Sequence, residues 1–496
     1  MFVIEPERRD TVVVCRRNTM MQRVVLLNPF VYGGRNRNVG IDSVVSRHSG
    51  QEIKTGVTFP IGLAYMAAML LKNGHAVRML DPIAEKIDPD VIHGCADWSD
   101  AIVMPFSPSH ADDMRQFRLR FRKKLFVLGG GYSKFIPDVL LKGDYCDVIL
   151  NGEPELTIVE LMNGYPHIDD VRGIIYRKET GEIQSSSMPL VEDLDTLPFP
   201  ERGLLNPRRY WDISFYGSPT AWILPARGCP YNCIFCAQFD RNSKSVRQRS
   251  AKNIVDEIES IVERQGVRNI AFFDETFNIN DRQVKAISSE ILARKLDIRW
   301  WCAARADLIK KDTVMLMKQA GCMEMRIGLE SADDAVLDYL RKDITVEEIR
   351  EGLAILRECR MNFSLQCIFG SPGENSRTIA QTMQFIRGAK PLFVSFNVLT
   401  PLPGSQLFEE MKEKVDMEAL KSFDILHTNY PLSRYSFGEM SRIIKRAYLS
   451  YYFSPGYLVR MAREAIRRPR LIPGMVRTLV VQAWYVYTSI LRHGKP

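Results

Sequence analysis

Three cysteines within eight residues constrain this chain more than any other feature: Cys229-Pro230-Tyr231-Asn232-Cys233-Ile234-Phe235-Cys236, a C-x3-C-x2-C spacing. They follow the apolar run Ala221-Trp222-Ile223-Leu224, which reads as a strand, and Arg227-Gly228, which opens a loop at its end. A loop this short wraps three thiolates around one face of an iron–sulfur cube and supplies no fourth ligand nearby, so one iron is left to bind and activate a small molecule. Two other readings stand beside it, a zinc site and cysteines buried as unrelated core residues. Zinc draws four ligands, usually as two separated pairs, and no Cys or His pair follows at finger or ribbon spacing.

The remaining cysteines (Cys15, Cys95, Cys146, Cys302, Cys322, Cys359 and Cys367) are scattered, mostly in apolar contexts where a free thiol behaves as a small core residue. That is no disulfide framework, and it points to a reducing cytoplasm. At 496 residues, 46% hydrophobic and 25% charged, the chain has room for more than one ordinary globular domain. Residues 1–20 mix Glu5, Glu7 and Asp10 with arginines and lack an apolar core of signal length, so a loose extension is expected there. The net charge of +8 is concentrated at the other end: from Gly456 onward eight Lys or Arg face the single acid Glu464, leaving the rest near neutral. A helical cap with solvated arginines and a basic helix lying on an anionic membrane surface both fit this tail, whose segment Thr478–Leu491 is too short to span a bilayer.

From Val24 short apolar runs alternate with amphipathic stretches. Val24–Leu27, Ala76–Leu80, Ala101–Met104, Leu125–Leu128 and Val148–Leu150 read as strands, and Ile61–Lys72, Pro89–Cys95, Met114–Arg122 and Phe135–Leu141 as helices. This alternation predicts a doubly wound, Rossmann-like parallel sheet over residues 21–162, with ligands held at the carboxyl ends of its strands. A connector over 163–216 contains a small hairpin near Val171–Tyr176 and a proline-punctuated linker, Asp193–Glu201. From 217 to 405 a second series of six strands with helices between them predicts a partial barrel. Its strands are Ala221–Leu224, Asn269–Phe273, Arg299–Ala303, Met323–Ile327, Phe363–Phe369 and Val394–Leu399. Residues 406–496 read as helical, ending in the basic tail.

The cysteine spacing, with the aromatic Phe235 before the last thiol, resembles the radical S-adenosylmethionine (radical SAM) enzymes. The resemblance implies that Cys229, Cys233 and Cys236 hold a 4Fe–4S cluster, that S-adenosylmethionine chelates the open iron, and that its reductive cleavage yields a 5′-deoxyadenosyl radical. It also assigns Phe235 and the barrel's strand-end loops to S-adenosylmethionine. Asp274-Glu275-Thr276 would face the methionine amino group. Gly328, Glu330 and Ser331 would lie near the ribose, and Gly370, Pro372 and Gly373 beside the adenine and ribose.

The first series resembles the cobalamin-binding domain that precedes many radical SAM domains. The matching pieces are Asn28-Pro29, Pro60 and Gly62 in Pro60-Ile61-Gly62-Leu63-Ala64, Gly74-His75 before a strand ending in Asp81, Ser107, Gly129-Gly130-Gly131, and Gly152-Glu153 after Asp147-Val148-Ile149. The D-x-H-x-x-G motif that ligates cobalt in some cobalamin proteins is missing; His93 has the wrong spacing and falls on a predicted helix. Cobalamin bound without a protein histidine is what the radical SAM branch implies.

The two resemblances together imply a cobalamin-dependent enzyme that methylates an unactivated carbon of a small-molecule or lipid, isoprenoid-like substrate, with a flavodoxin or ferredoxin as reductant. The same pattern serves radical cyclases of tetrapyrrole type. Transfer-RNA methylthiolation would call for amino-terminal cluster cysteines and a terminal β-barrel, neither of which is legible, so nucleic acid is not an expected partner. A cobalamin sensor without catalysis conflicts with the intact thiol loop.

Overall fold

The structure, a computed structural model, describes residues 21–29, 57–212, 218–237, 245–421, 432–467 and the single positions 472 and 476. The expected extension (1–20) and the segment Thr478–Leu491 lie outside them. The chain divides into two compact units, one reaching to Tyr210 and including Glu413–Lys421, the other built on Trp211–Lys412 and the residues after Lys421.

The first unit is a seven-stranded sheet in the order β2-β1-β3-β4-β5-β6-β7. Its parallel strands are β1 (Arg23–Leu27), β2 (Ala76–Leu80), β3 (Ala101–Pro105), β4 (Leu125–Gly129) and β5 (Val148–Leu150). They are nearly continuous runs of buried Val, Ile and Leu because helices cover both faces of such a sheet. The helix Ile61–Lys72 has the bounds that the sequence predicts, since Pro60 precedes it and Asn73-Gly74, the glycine at φ +87°, turns the chain into β2. His93 lies, as expected, on a helix, Pro89–Trp98.

Two antiparallel strands, β6 (Ile174–Arg177) and β7 (Ile183–Ser185), continue the sheet beyond β5. The hairpin read as part of a connector therefore belongs to this unit's sheet. β5 is three residues long and would make a weak edge, while Ile174, Ile175 and Tyr176 are all buried and need a sheet to pack on. The sequence reading also passed over the helix Pro154–Gly164, which begins with proline in its first turn.

The second unit holds six parallel strands in sequential order, β8 (Thr220–Ile223), β11 (Asn269–Phe272), β12 (Arg299–Ala304), β13 (Cys322–Glu330), β14 (Asn362–Phe369) and β15 (Phe393–Val398). Two short strands, β9 (Ala226–Arg227) and β10 (Arg247–Gln248), form a separate ladder. Among the described residues β8 and β15 are the edge strands of this sheet, so the barrel is open, as six strands predict. Helices with strong caps separate the strands: Ser250 caps Ala251–Gln265, and Thr345 with Glu348 makes a capping box on Val346–Glu358.

Edge β15 is shielded by the helix Phe437–Tyr452. The Tyr452 hydroxyl accepts from Val394 N–H (2.8 Å) and donates to Val394 C=O (2.7 Å), and Tyr448 accepts from Phe396 N–H (3.2 Å). Tyrosine hydroxyls thus occupy the outward backbone groups that an exposed edge would offer to another chain. Among the described residues no helix is long and apolar enough to cross a membrane.

Candidate cofactor sites

A glycine closes the loop that carries the three thiols. β9 and β10 pair Arg227 with Arg247 and Ala226 with Gln248, so the chain leaves and returns at one point. Gly228 sits there at φ +93°, and a Cβ on it would lie 2.3 Å from Ser245 O, a crossing that only glycine permits. Arg249 locks the return: its Nη1 meets Glu257 Oε2 at 2.6 Å, with both side chains buried, and Leu224 O at 3.2 Å.

Inside the loop Ile234 is the anchor. It is buried with Val336, Leu340, Leu399 and Leu407; its N–H donates to Leu340 O (3.1 Å) and its C=O accepts from Leu407 N–H (3.0 Å). Tyr231 is held from the other side by Arg305, whose guanidinium carbon is 3.5 Å from the ring centroid. Arg305 is itself fixed by Asp307 (3.1 Å), Lys342 O (2.8 Å) and Asp343 O (2.9 Å). Sequence reasoning missed both anchors. An apolar residue between two candidate ligands was a usable signal for Ile234; nothing local marks Arg305.

Cys229 is buried with Sγ 3.9 Å from Thr276 Oγ1, and Cys236 N–H donates to Cys233 O at 3.2 Å. Burial pushes the Cys233 thiol up and the Cys236 thiol to about 12, so ligation has to release their protons. Among the described residues no three His, Cys, Asp or Glu side chains converge as ligands of a single ion must. Zinc needs donors at about 2.3 Å from one centre, whereas a cube takes one thiol per iron and asks for no common centre.

The other expected residues sit at the carboxyl ends of the same sheet. After β11, Asp274 is half-buried, with Oδ1 shut off from solvent and unpaired, and burial pushes its carboxyl well up; Glu275 is exposed and Thr276 reaches Cys229. At the end of β13, Glu330 adopts φ +57° and pairs with Lys342 (Oε1–Nζ 2.7 Å), while Lys342 Nζ lies 5.9 Å from the centroid of Phe235. A Cβ on Gly328 would meet that ion pair at 2.4 and 2.7 Å, so the glycine makes room for it. Ser331 turns inward, its hydroxyl 3.4 Å from Thr382 Oγ1. After β14, Gly370 (φ +95°) donates to Glu374 Oε2 at 2.6 Å, Pro372 is half-buried and Gly373 (φ +84°) is exposed. Glu374 Oε1 and Ser371 Oγ are buried without partners. These orphaned oxygens beside close-approach glycines fit a polar ligand with hydroxyl and amine donors.

In the first unit the order β2-β1-β3-β4-β5 reverses direction between β1 and β3, the switch point at which such sheets open a crevice outside their carboxyl ends. Ser107, after β3, is buried and bonded to His110 Nδ1 (3.0 Å), a histidine the sequence reading passed over. Pro60 and Gly62 begin the first helix; Gly129, Gly130 (φ +87°) and Gly131 follow β4, and Gly152 (φ +123°) follows β5. A Cβ on Gly62, Gly131 or Gly152 would meet nothing within 4 Å. The open glycine-lined edge fits a bulky ligand. The Glu153 carboxylate does not face it: it is buried and accepts from Val191 N–H at 2.9 Å.

Residues 223–386 match the model of the radical SAM superfamily. That stretch of the chain is a radical SAM domain. An uncharacterized methyltransferase of Pyrococcus horikoshii is 26% identical over 81% of this chain and 89% of its own length. An anaerobic magnesium-protoporphyrin IX monomethyl ester cyclase of Cereibacter sphaeroides is 28% identical over 75% of this chain and 63% of its own. Among solved structures, the radical SAM methyltransferase TsrM of Kitasatospora setae, with cobalamin and a 4Fe–4S cluster bound, superposes with a TM-score of 0.63 at 18% identity, over 80% of this chain and 78% of that one. The C-x3-C-x2-C segment built here on Gly228, Ile234 and Tyr231 lies within the matched stretch. A radical SAM enzyme binds a 4Fe–4S cluster and S-adenosylmethionine, and the donor set above suits both.

Proposed function

We propose that the chain is a cobalamin-dependent radical SAM methyltransferase acting on an unactivated carbon of a small-molecule or isoprenoid-like lipid substrate, in a reducing cytoplasm and with a flavodoxin or ferredoxin as electron donor. The observation that carries this reading is the presence in one chain of two sheets whose parallel strands end in glycine-lined carboxyl edges, one bearing three thiols and the other an open switch point. The names of the Pyrococcus relative and of TsrM support it.

When bound, the cluster and S-adenosylmethionine supply an adenosyl radical and cobalamin supplies a methyl carrier. The chain's own part is to hold and shield them. Cys229, Cys233 and Cys236 ligate three irons, on a loop pinned by Ile234 and by the Arg305–Tyr231 stack. Asp274 offers its unpaired oxygen to an amine, and the Gly370–Gly373 turn lets a nucleoside approach the backbone. Gly328 and Glu330 serve the ribose, while Pro60, Gly62, Ser107, Gly129–Gly131 and Gly152 line the cobalamin edge. A ring-forming reaction is the second reading, favoured by the cyclase relative, and uses the same radical generator.

Anaerobic purification with cluster reconstitution and added hydroxocobalamin, followed by iron, sulfide and cobalt analysis of one sample, tests the reading. About four irons and one cobalt per chain are expected. Iron without cobalt would remove the methyltransferase reading and leave the radical SAM chemistry standing. Cys233→Ala should abolish 5′-deoxyadenosine formation and keep cobalt.

A further inference from the structure

The helix Pro455–Arg467 carries two apolar faces where a helix packed on a sheet needs one. Tyr457 and Met461, one turn apart, are buried in the second unit's core. Arg460 is tied down between them, donating to Lys390 O and Pro391 O at 2.7 Å each. At 3.6 residues per turn, Leu458, Val459, Ala462 and Ile466 fall on a second stripe that the core does not cover. Leu458 is 45%, Val459 51% and Ile466 81% exposed. Single exposed aliphatic residues are ordinary; four along one helical stripe are not. The exposed Arg463 borders the stripe, and Ile472 and Val476 are exposed beyond it. Arg460 is committed to the fold, and by sequence the chain after Gly456 carries eight Lys and Arg against one acid.

We propose that this face docks on an anionic lipid surface. The stripe enters the boundary between headgroups and acyl chains, while Arg463 at its border meets the phosphates and the basic sequence of the tail adds attraction to an anionic surface, the division of labour of an interfacial helix. Charge complementarity selects this occupant: a second copy would bring the same arginines together, whereas an anionic membrane supplies the counter-charge. The inference is independent of the cofactor assignments.

The test is co-sedimentation of the full-length, cofactor-loaded protein with extruded vesicles, either pure phosphatidylcholine or containing about a quarter phosphatidylglycerol. Binding to the anionic vesicles should be at least about tenfold stronger and should fall in about 0.5 M salt. Val459→Asp with Ile466→Asp should weaken it about tenfold, whereas Val91→Asp, at an exposed valine of the first unit, should not. Equal binding to neutral vesicles, no binding, or binding untouched by the double substitution overturns the proposal. So does a lower melting temperature of the double variant, which would show the chain's own residues covering the stripe. A concentration-dependent dimer lost in that variant would make a second copy the occupant, and likewise overturns it.

Discussion

Glu374 shows what a single residue at a strand end contributes. It is fully buried behind β14, its Oε1 has no partner, and burial raises its carboxyl to about 7 although the Gly370 and Ser371 N–H groups pull the other way. A carboxyl raised above its unfolded value of 4.5 contributes stability that is complete below that pH and lost as pH climbs through 7, in all about 3 kcal/mol. Thermal melts of the ligand-free protein should therefore decline from pH 5 to pH 8. Glu374→Gln, which mimics the protonated acid, should flatten that decline; an unchanged slope would put the effect on another group. At this scale the sequence disclosed what is contiguous. The three cysteines and Gly228 lie in one short loop, and the residues after β11, β13 and β14 announce themselves as small or acidic residues behind apolar runs. Arg305 and Lys342 were illegible because they reach the thiol loop from far along the chain, by stacking on Tyr231 and by lying near Phe235. The carboxylate of Glu153 misled for the converse reason: its position is at the sheet edge, but Val191 N–H draws it inward.

Among the elements, parallel strands were the easiest to read, since burial on both faces demands uninterrupted apolar runs. Helices with two-sided punctuation were read well, as Ile61–Lys72 between Pro60 and Asn73-Gly74 shows. The hairpin β6–β7 was assigned to a connector because a half-exposed antiparallel pair carries no mark of the sheet it joins. Nothing in the sequence marks Tyr448 and Tyr452, on a helix far along the chain, as residues that complete the hydrogen bonding of an edge strand. Tyr452→Phe removes both the donor and the acceptor that serve Val394, and should cost about 1–3 kcal/mol. Tyr448→Phe, which takes the acceptor from Phe396 N–H, should cost less. Urea unfolding reports both, and an m-value unchanged from the parent protein would confirm that the native fold was kept. Equal losses in the two variants would mean that packing, not the doubled hydrogen bond, sets the contribution of Tyr452.

For the whole molecule, the consequential feature is that each unit has its own sheet and its own open carboxyl edge, so the two proposed cofactors should be separable by substitution. Gly62 offers the cleanest probe of the first edge. It is exposed in the first turn of its helix, and an added side chain meets nothing at Cβ. Replacing it removes glycine's penalty of up to about 1 kcal/mol within a helix. Gly62→Trp should therefore melt no lower than the parent protein while its indole occupies the space a bulky ligand needs. Cobalt per chain should fall severalfold after reconstitution, with the iron content and the cluster's visible absorption unchanged. Cys233→Ala should do the reverse, losing iron and keeping cobalt, because its effect is confined to the loop closed by Gly228 and Ser245. If Gly62→Trp binds cobalamin as well as the parent does, the ligand does not approach the amino end of Ile61–Lys72. If either variant loses both metals together, the units are not independent, and the separation of two sheets is a feature of the fold without a counterpart in how the cofactors are held.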